Sequence, residues 1–168
     1  MVSGPIPRRH VLVGALAATV VPRAARGQRA IALDWHDLLP DGMFSTVTTP
    51  RGVIPHEGAS LLAQQPASTG LRTDWNGRRV RLPGFVVPME FDGTGVTTFL
   101  LVPFVGACIH VPPPPANQLV LVTPDRPFES GDLFEPVSVT GRIEAATADT
   151  ALARIGYAMA ADDVRAHP

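Results

Sequence analysis

The chain has 168 residues, of which 45% are hydrophobic and 17% charged, a balance that excludes an intrinsically disordered polypeptide and leaves room for one domain with a packed core. All fourteen basic residues are arginine; four lie in the first 27 positions, which hold no acid, so the remainder carries ten arginines against fifteen acids, a formal net charge of −5. That balance argues against a nucleic-acid partner, whose phosphates are bound by basic surfaces.

Residues 1–27 read as an export signal. Pro7-Arg8-Arg9-His10 leads into the apolar run Val11 to Val21, followed by Pro22 and the small residues Ala24, Ala25 and Gly27, the charged, apolar and small-residue regions of a secretory leader. Eleven residues span about 16 Å as a helix, roughly half a bilayer core, so the run is too short for a transmembrane anchor. The arginine pair and the weak hydrophobicity around Gly14 and Thr19 indicate the twin-arginine route. His10-Val11-Leu12-Val13 departs from the usual residues after the pair, and the general secretory route is the alternative. No cysteine stands near the cleavage region. The mature chain is therefore expected to begin near Gln28 and to be free in the periplasm, without a lipid anchor.

Residues 28–70 form an irregular extension. Asp34 is placed to cap a short helical turn over Trp35-His36-Asp37-Leu38, with Trp35 and Leu38 as anchors. Ser45 to Ala59 reads as loop, and Ser60 to Gln65 as a short helical piece ending before Pro66.

The β pattern occupies residues 71–168. Asn76-Gly77 marks a tight turn. Arg79-Val80-Arg81-Leu82 alternates as a half-buried strand and continues through Gly84 to Met89, with Gly84 suited to a bend or bulge. The turn Asp92-Gly93-Thr94-Gly95 precedes a strand over Val96 to Val105, and Leu119 to Val122 and Pro136 to Glu144 supply two more. The segment Ala145 to Val164 suggests a short helix and then the strand Ile155 to Met159. With eighteen prolines and fifteen glycines as punctuation, short strands are favoured over long helices. The expected fold is a mainly β domain, a small OB-like β-barrel behind an irregular N-terminal extension; a β-sandwich is the alternative.

Chemistry concentrates in Val105 to Gln118, which holds the only cysteine, Cys108, with His110 two residues on and the tetraproline Pro112, Pro113, Pro114 and Pro115 directly after. On an extended strand Cys108 and His110 face the same way. A thiolate beside an imidazole is half of a zinc or copper site. Further metal ligands would come from His36, His56, an Asp or Glu of the N-terminal loops, or a second subunit in a homodimer, with Met43 or Met89 suited to copper(I). A buried structural cysteine is the plain alternative. The tetraproline must adopt polyproline II. It reads either as a stiff connection that holds Cys108 and His110 or, with Asn117 and Gln118, as a partner-binding rail. Asn117 and Gln118 also suit hydrogen bonds to carbonyls along the proline run.

Hydrolase signatures are missing: the chain has no Gly-x-Ser-x-Gly, no His-Glu-x-x-His and no phosphate-binding glycine loop. Asp162-Asp163 reads as a solvated face, and Trp35 and Trp75 as packing anchors.

Leu82-Pro-Gly-Phe-Val-Val-Pro-Met-Glu90, Phe99 to Gln118 with its Cys-x-His-x-Pro-Pro-Pro-Pro signature, Phe134 to Gly141, Gly156-Tyr157 and Trp35-x-Asp37-Leu38 together resemble the DUF3299 family of exported bacterial proteins over residues 34–160. The resemblance implies a small exported protein of unknown function, often a lipoprotein, some members being associated with membrane transport systems. This chain departs from that pattern in lacking the lipobox cysteine. The resemblance gives weight to Cys108 and His110 and names no reaction.

The expectation is a non-enzymatic periplasmic binding module, handling a transition metal (zinc or copper) or assisting a membrane transport complex. The alternatives are an adaptor docking through the tetraproline and a thiol-dependent enzyme.

Overall fold

The structure, a computed structural model, describes residues 29–40, 65–107 and 113–167. The segments 1–28, 41–64 and 108–112 lie outside it, and with them the expected leader, Met43, His56, Cys108, His110, Pro112 and most of the expected helical piece Ser60 to Gln65.

Among the described residues the chain is mainly β. Its strands are β1 (Ile31–Ala32), β2 (Arg78–Asp92), β3 (Gly95–Val102), β4 (Val120–Pro124), β5 (Phe128–Glu129), β6 (Pro136–Asp149) and β7 (Arg154–Ala166), joined by 3-10 turns at Trp35–Leu38 and Ala116–Gln118. They form one sheet in the order β1-β2-β6-β7-β4-β3-β5, and β3 also pairs with β2. The strands thus belong to one sheet, not to the two of a sandwich. No described helix is long and apolar enough to cross a membrane.

The long strand β2 serves two neighbours. Its first half, Arg78 to Phe85, pairs antiparallel with β6, and its second half, Phe85 to Asp92, pairs with β3. The hand-over falls at Gly84–Phe85, where register with β6 is continuous; the irregularity comes later, between Pro88 and Phe91. The expected glycine is therefore at the change of partner and the bulge is not. Gly141 in β6 does sit at a register shift against β7. A Cβ there would stand 2.3 Å from the Ala160 carbonyl oxygen, so only glycine lets the two backbones approach this closely.

Alternation along the strands divides the core in two. Val80, Leu82, Val86, Phe99, Leu101, Val120, Val122, Val139 and Ile143 share one apolar cluster with Tyr157 and Met159. On the opposite face the second half of β2 and the paired parts of β3 and β4 are largely covered, whereas Arg81 in the first half of β2 and Thr123 in β4 are exposed. Val87, Leu100, Val102 and Leu119 pack with Ala107, Ala153 and Ile155, edged by Met89 and Phe104. An antiparallel sheet buried on both faces needs an outer cover. Part of that cover here is the β3–β4 connection.

Two elements differ from the sequence reading. The expected helix in Ala145 to Val164 is replaced by strand: β6 runs on to Asp149, and Thr150 closes a turn by accepting the Ala153 amide at its hydroxyl, 3.0 Å. Cross-strand pairing with β7 outweighs the helix propensity of the alanines. The parallel pair β1–β2, only two residues long, was not expected.

Candidate functional site

The β3–β4 connection enters and leaves the Cys-x-His segment through buried residues. Before it, Ala107 is fully buried in the second apolar cluster. After it, Pro113 and Pro114 are buried, and Pro115 precedes the Ala116–Gln118 turn, its carbonyl accepting the Gln118 amide at 2.8 Å. Pro113 and Pro114 are thus packed inside the fold and present no exposed rail. Gln65 fixes this end of the connection. Its amide donates to the Pro114 carbonyl at 2.9 Å and to the Arg154 carbonyl at 2.7 Å, while its oxygen accepts the Arg154 amide at 2.8 Å.

The Ala116–Gln118 turn lies directly on β7. A Cβ at Gly156 would stand 2.5 Å from the Ala116 carbonyl oxygen and from Leu71, so this glycine is a contact surface for the turn. Asn117 and Gln118, each 1% exposed, point inward, which corrects their assignment as partner-binding residues. Asn117 donates to the Thr69 hydroxyl and to the Gly70 carbonyl, both at 3.0 Å. Gln118 donates to the Trp35 carbonyl at 2.8 Å and to the Asn117 carbonyl at 3.0 Å. Both amide nitrogens are bonded within the chain, as buried donors usually are, while the buried Asn117 Oδ1 has no hydrogen-bond partner among the described residues. Among the described prolines, neither amide bonds a carbonyl of the run; Gln65 takes that of Pro114.

The Gln118–Trp35 bond brings the N-terminal turn to the end of the proline segment. That turn forms as its sequence requires. Asp34 accepts the His36 amide at 2.7 Å and the Asp37 amide at 3.3 Å, and Asp37 accepts the Asp34 amide at 2.8 Å, closing a capping box. Leu38 is fully buried. The Trp35 indole donates to the Pro83 carbonyl at 2.8 Å and the Trp75 indole to the Asp37 carbonyl at 2.9 Å, so both tryptophans are anchors with a satisfied N–H. Arg72 lies over Trp75 at 5.4 Å. Tyr157, fully buried, donates to the Leu38 carbonyl at 2.8 Å and accepts the Arg72 amide at 2.7 Å. Burial raises the Tyr157 pKa, the bond from Arg72 only partly opposing it.

Held this way, His36 presents an exposed ring on a rigid turn. Met89 is half-buried at the edge of the cluster that contains Ala107. Among the described residues no group of three or more His, Cys, Asp or Glu side chains gathers as a metal site; Cys108, His110 and His56 are not among them. The Asp162-Asp163 pair is engaged at the surface, Asp162 with Arg79 and Asp163 with Arg165, each at 2.8 Å. Gln65, Thr69 and Tyr157 hold the site together; the sequence marked Tyr157 only through the family resemblance and gave neither Gln65 nor Thr69 a role in the site. A glutamine or tyrosine whose partner is a backbone carbonyl over 80 positions away leaves no local pattern to read.

The model of the DUF3299 family, a protein family of unknown function, matches residues 35–166. The chain is similar to the crystal structure of a DUF3299 family protein from Pseudomonas aeruginosa PAO1, at 33% identity and a TM-score of 0.73, covering 84% of this chain and 98% of that one. No curated protein matches it. The signature over the β3–β4 connection therefore lies inside the matched region, and the chain belongs to the DUF3299 family.

Proposed function

We propose that this protein is a non-enzymatic periplasmic module that binds a transition metal, with Cys108 and His110 as ligands and His36 as a third. The observation that carries the reading is the Gln118–Trp35 hydrogen bond, which ties the end of the Cys-x-His-Pro segment to the turn bearing His36. Support also comes from the anchoring of the segment: Ala107 on one side and Pro113 with Pro114 on the other are buried. Only five residues span that gap. Fixed ends reduce the entropy lost when ligands close on an ion, and the ligand types suit zinc or copper(I).

The strand pairings support an OB-type barrel. Taking β2, β3, β4, β6 and β7 as its five strands, the pairings run 1-2-3-5-4-1, with the parallel pair β4–β7 closing the circuit. OB barrels take ligands on the face of their second and third strands, here β3 and β4. The outer side of these strands is covered in part by the chain's own β3–β4 connection, through Ala107 and Leu119 on either side of the Cys-x-His segment. Export by the leader over residues 1–27, and service to a membrane transport complex, belong to the same proposal. The burial of Pro113 and Pro114 speaks against the proline-rail adaptor.

The test is a chelator competition for zinc and copper(I) on the wild type, His36→Ala and His56→Ala. A loss of at least tenfold in affinity for His36→Ala alone supports the assignment. Unchanged affinity removes His36 from the ligand set.

A further inference from the structure

We propose that the outer face of β1, β2 and β6 is an arginine surface that docks the protein onto an anionic phospholipid membrane. The alternation that buries Val80 and Leu82 completely turns Arg79 and Arg81 outward. β6 sets Arg142 directly opposite Arg79 and Thr140 opposite Arg81; β7 sets Arg165 opposite Ser138. On the other edge β1 pairs alongside Val80 and Arg81, with Arg29 just before it. Two adjoining grooves of about 650 and 510 Å³ run over this face and share Arg29 and Arg79.

The local acids do not balance these charges. Asp162 pairs with Arg79 and Asp163 with Arg165, while Arg142 donates to the Gly77 carbonyl at 2.8 Å. Arg29, Arg78, Arg81 and Arg142 have no carboxylate partner among the described residues. Like charges directly opposite on a sheet are unfavourable, and here they collect on a chain whose net charge after residue 27 is −5.

Charge complementarity selects a membrane as the occupant. The face is broad and open, lined by guanidinium groups that fork onto phosphate oxygens, which suits a plane of headgroups.

The experiment is co-sedimentation of the protein with vesicles of phosphatidylcholine alone and with phosphatidylglycerol added at one third. Binding is expected only with phosphatidylglycerol, and it should weaken as salt rises. Each arginine at an anionic surface contributes about fivefold in affinity, so Arg29→Ala/Arg78→Ala/Arg81→Ala together should lower it about a hundredfold. The triple lysine variant should retain most of it, which separates charge from misfolding, and Arg126→Ala/Arg154→Ala should have no effect. Equal binding to both vesicles, no binding, or an unimpaired triple alanine variant would overturn the proposal. So would saturable binding of inorganic phosphate on this face without vesicle binding, which assigns it to a small soluble anion.

Discussion

The side-chain amide of Gln118 donates a 2.8 Å hydrogen bond to the backbone carbonyl of Trp35, 83 positions earlier. This one bond joins the turn that ends the proline segment to the turn that carries His36. Gln118→Leu keeps the apolar bulk and leaves the Trp35 carbonyl unpaired, which costs about 1–3 kcal/mol. A urea titration should show a lower midpoint with an unchanged slope. Metal affinity should fall with it, because His36 then loses its fixed position relative to the proline segment.

Tyr157→Phe removes the hydroxyl shared by the Leu38 carbonyl and the Arg72 amide and should likewise cost about 1–3 kcal/mol. Its pH signature is distinct. The folded protein raises the Tyr157 pKa above the ordinary 10.0, chiefly through burial, so the unfolded chain loses this proton first. The stabilisation is complete below pH 10 and is lost as pH rises above it. Melting temperatures measured from pH 8 upward should fall more steeply for the wild type than for Tyr157→Phe.

Gly156→Val should be among the most damaging single changes, since any Cβ there meets the Ala116 carbonyl and Leu71 at 2.5 Å. Overpacking of this kind costs about 1–3 kcal/mol or more. If the turn is displaced instead, limited proteolysis should open the chain near Ala116 at a denaturant concentration where the wild type resists.

Asp162→Asn offers a contrast. The Arg79–Asp162 pair has good geometry at 2.8 Å, but both side chains remain partly exposed, and such pairs are worth about 0–1 kcal/mol. The denaturation midpoint should hardly move.

What the sequence disclosed follows how local the cause was. Strand alternation over Arg79 to Leu82, the Gly93-Thr94 turn and the Asp34 cap are set by neighbouring residues, and each appears in the structure. The extension of β6 through Ala145 to Asp149 depends on a partner strand, and an alanine-rich segment read alone suggests helix. Asn117 and Gln118 were legible as hydrogen-bonding residues but not as buried ones, because their partners Gly70 and Trp35 lie 47 and 83 positions away. The arginines of β2 and β6 looked unremarkable in a chain of net negative charge; only strand pairing brings Arg79 and Arg142 together.

Metal binding by Cys108 and His110 is tested most directly by the metal content of the protein purified from a bacterial periplasm, beside Cys108→Ser and His110→Ala. Near-stoichiometric zinc or copper is expected in the wild type and its loss in both variants. A metal-free wild type, with variants that only lose stability, would contradict it and make the pair structural.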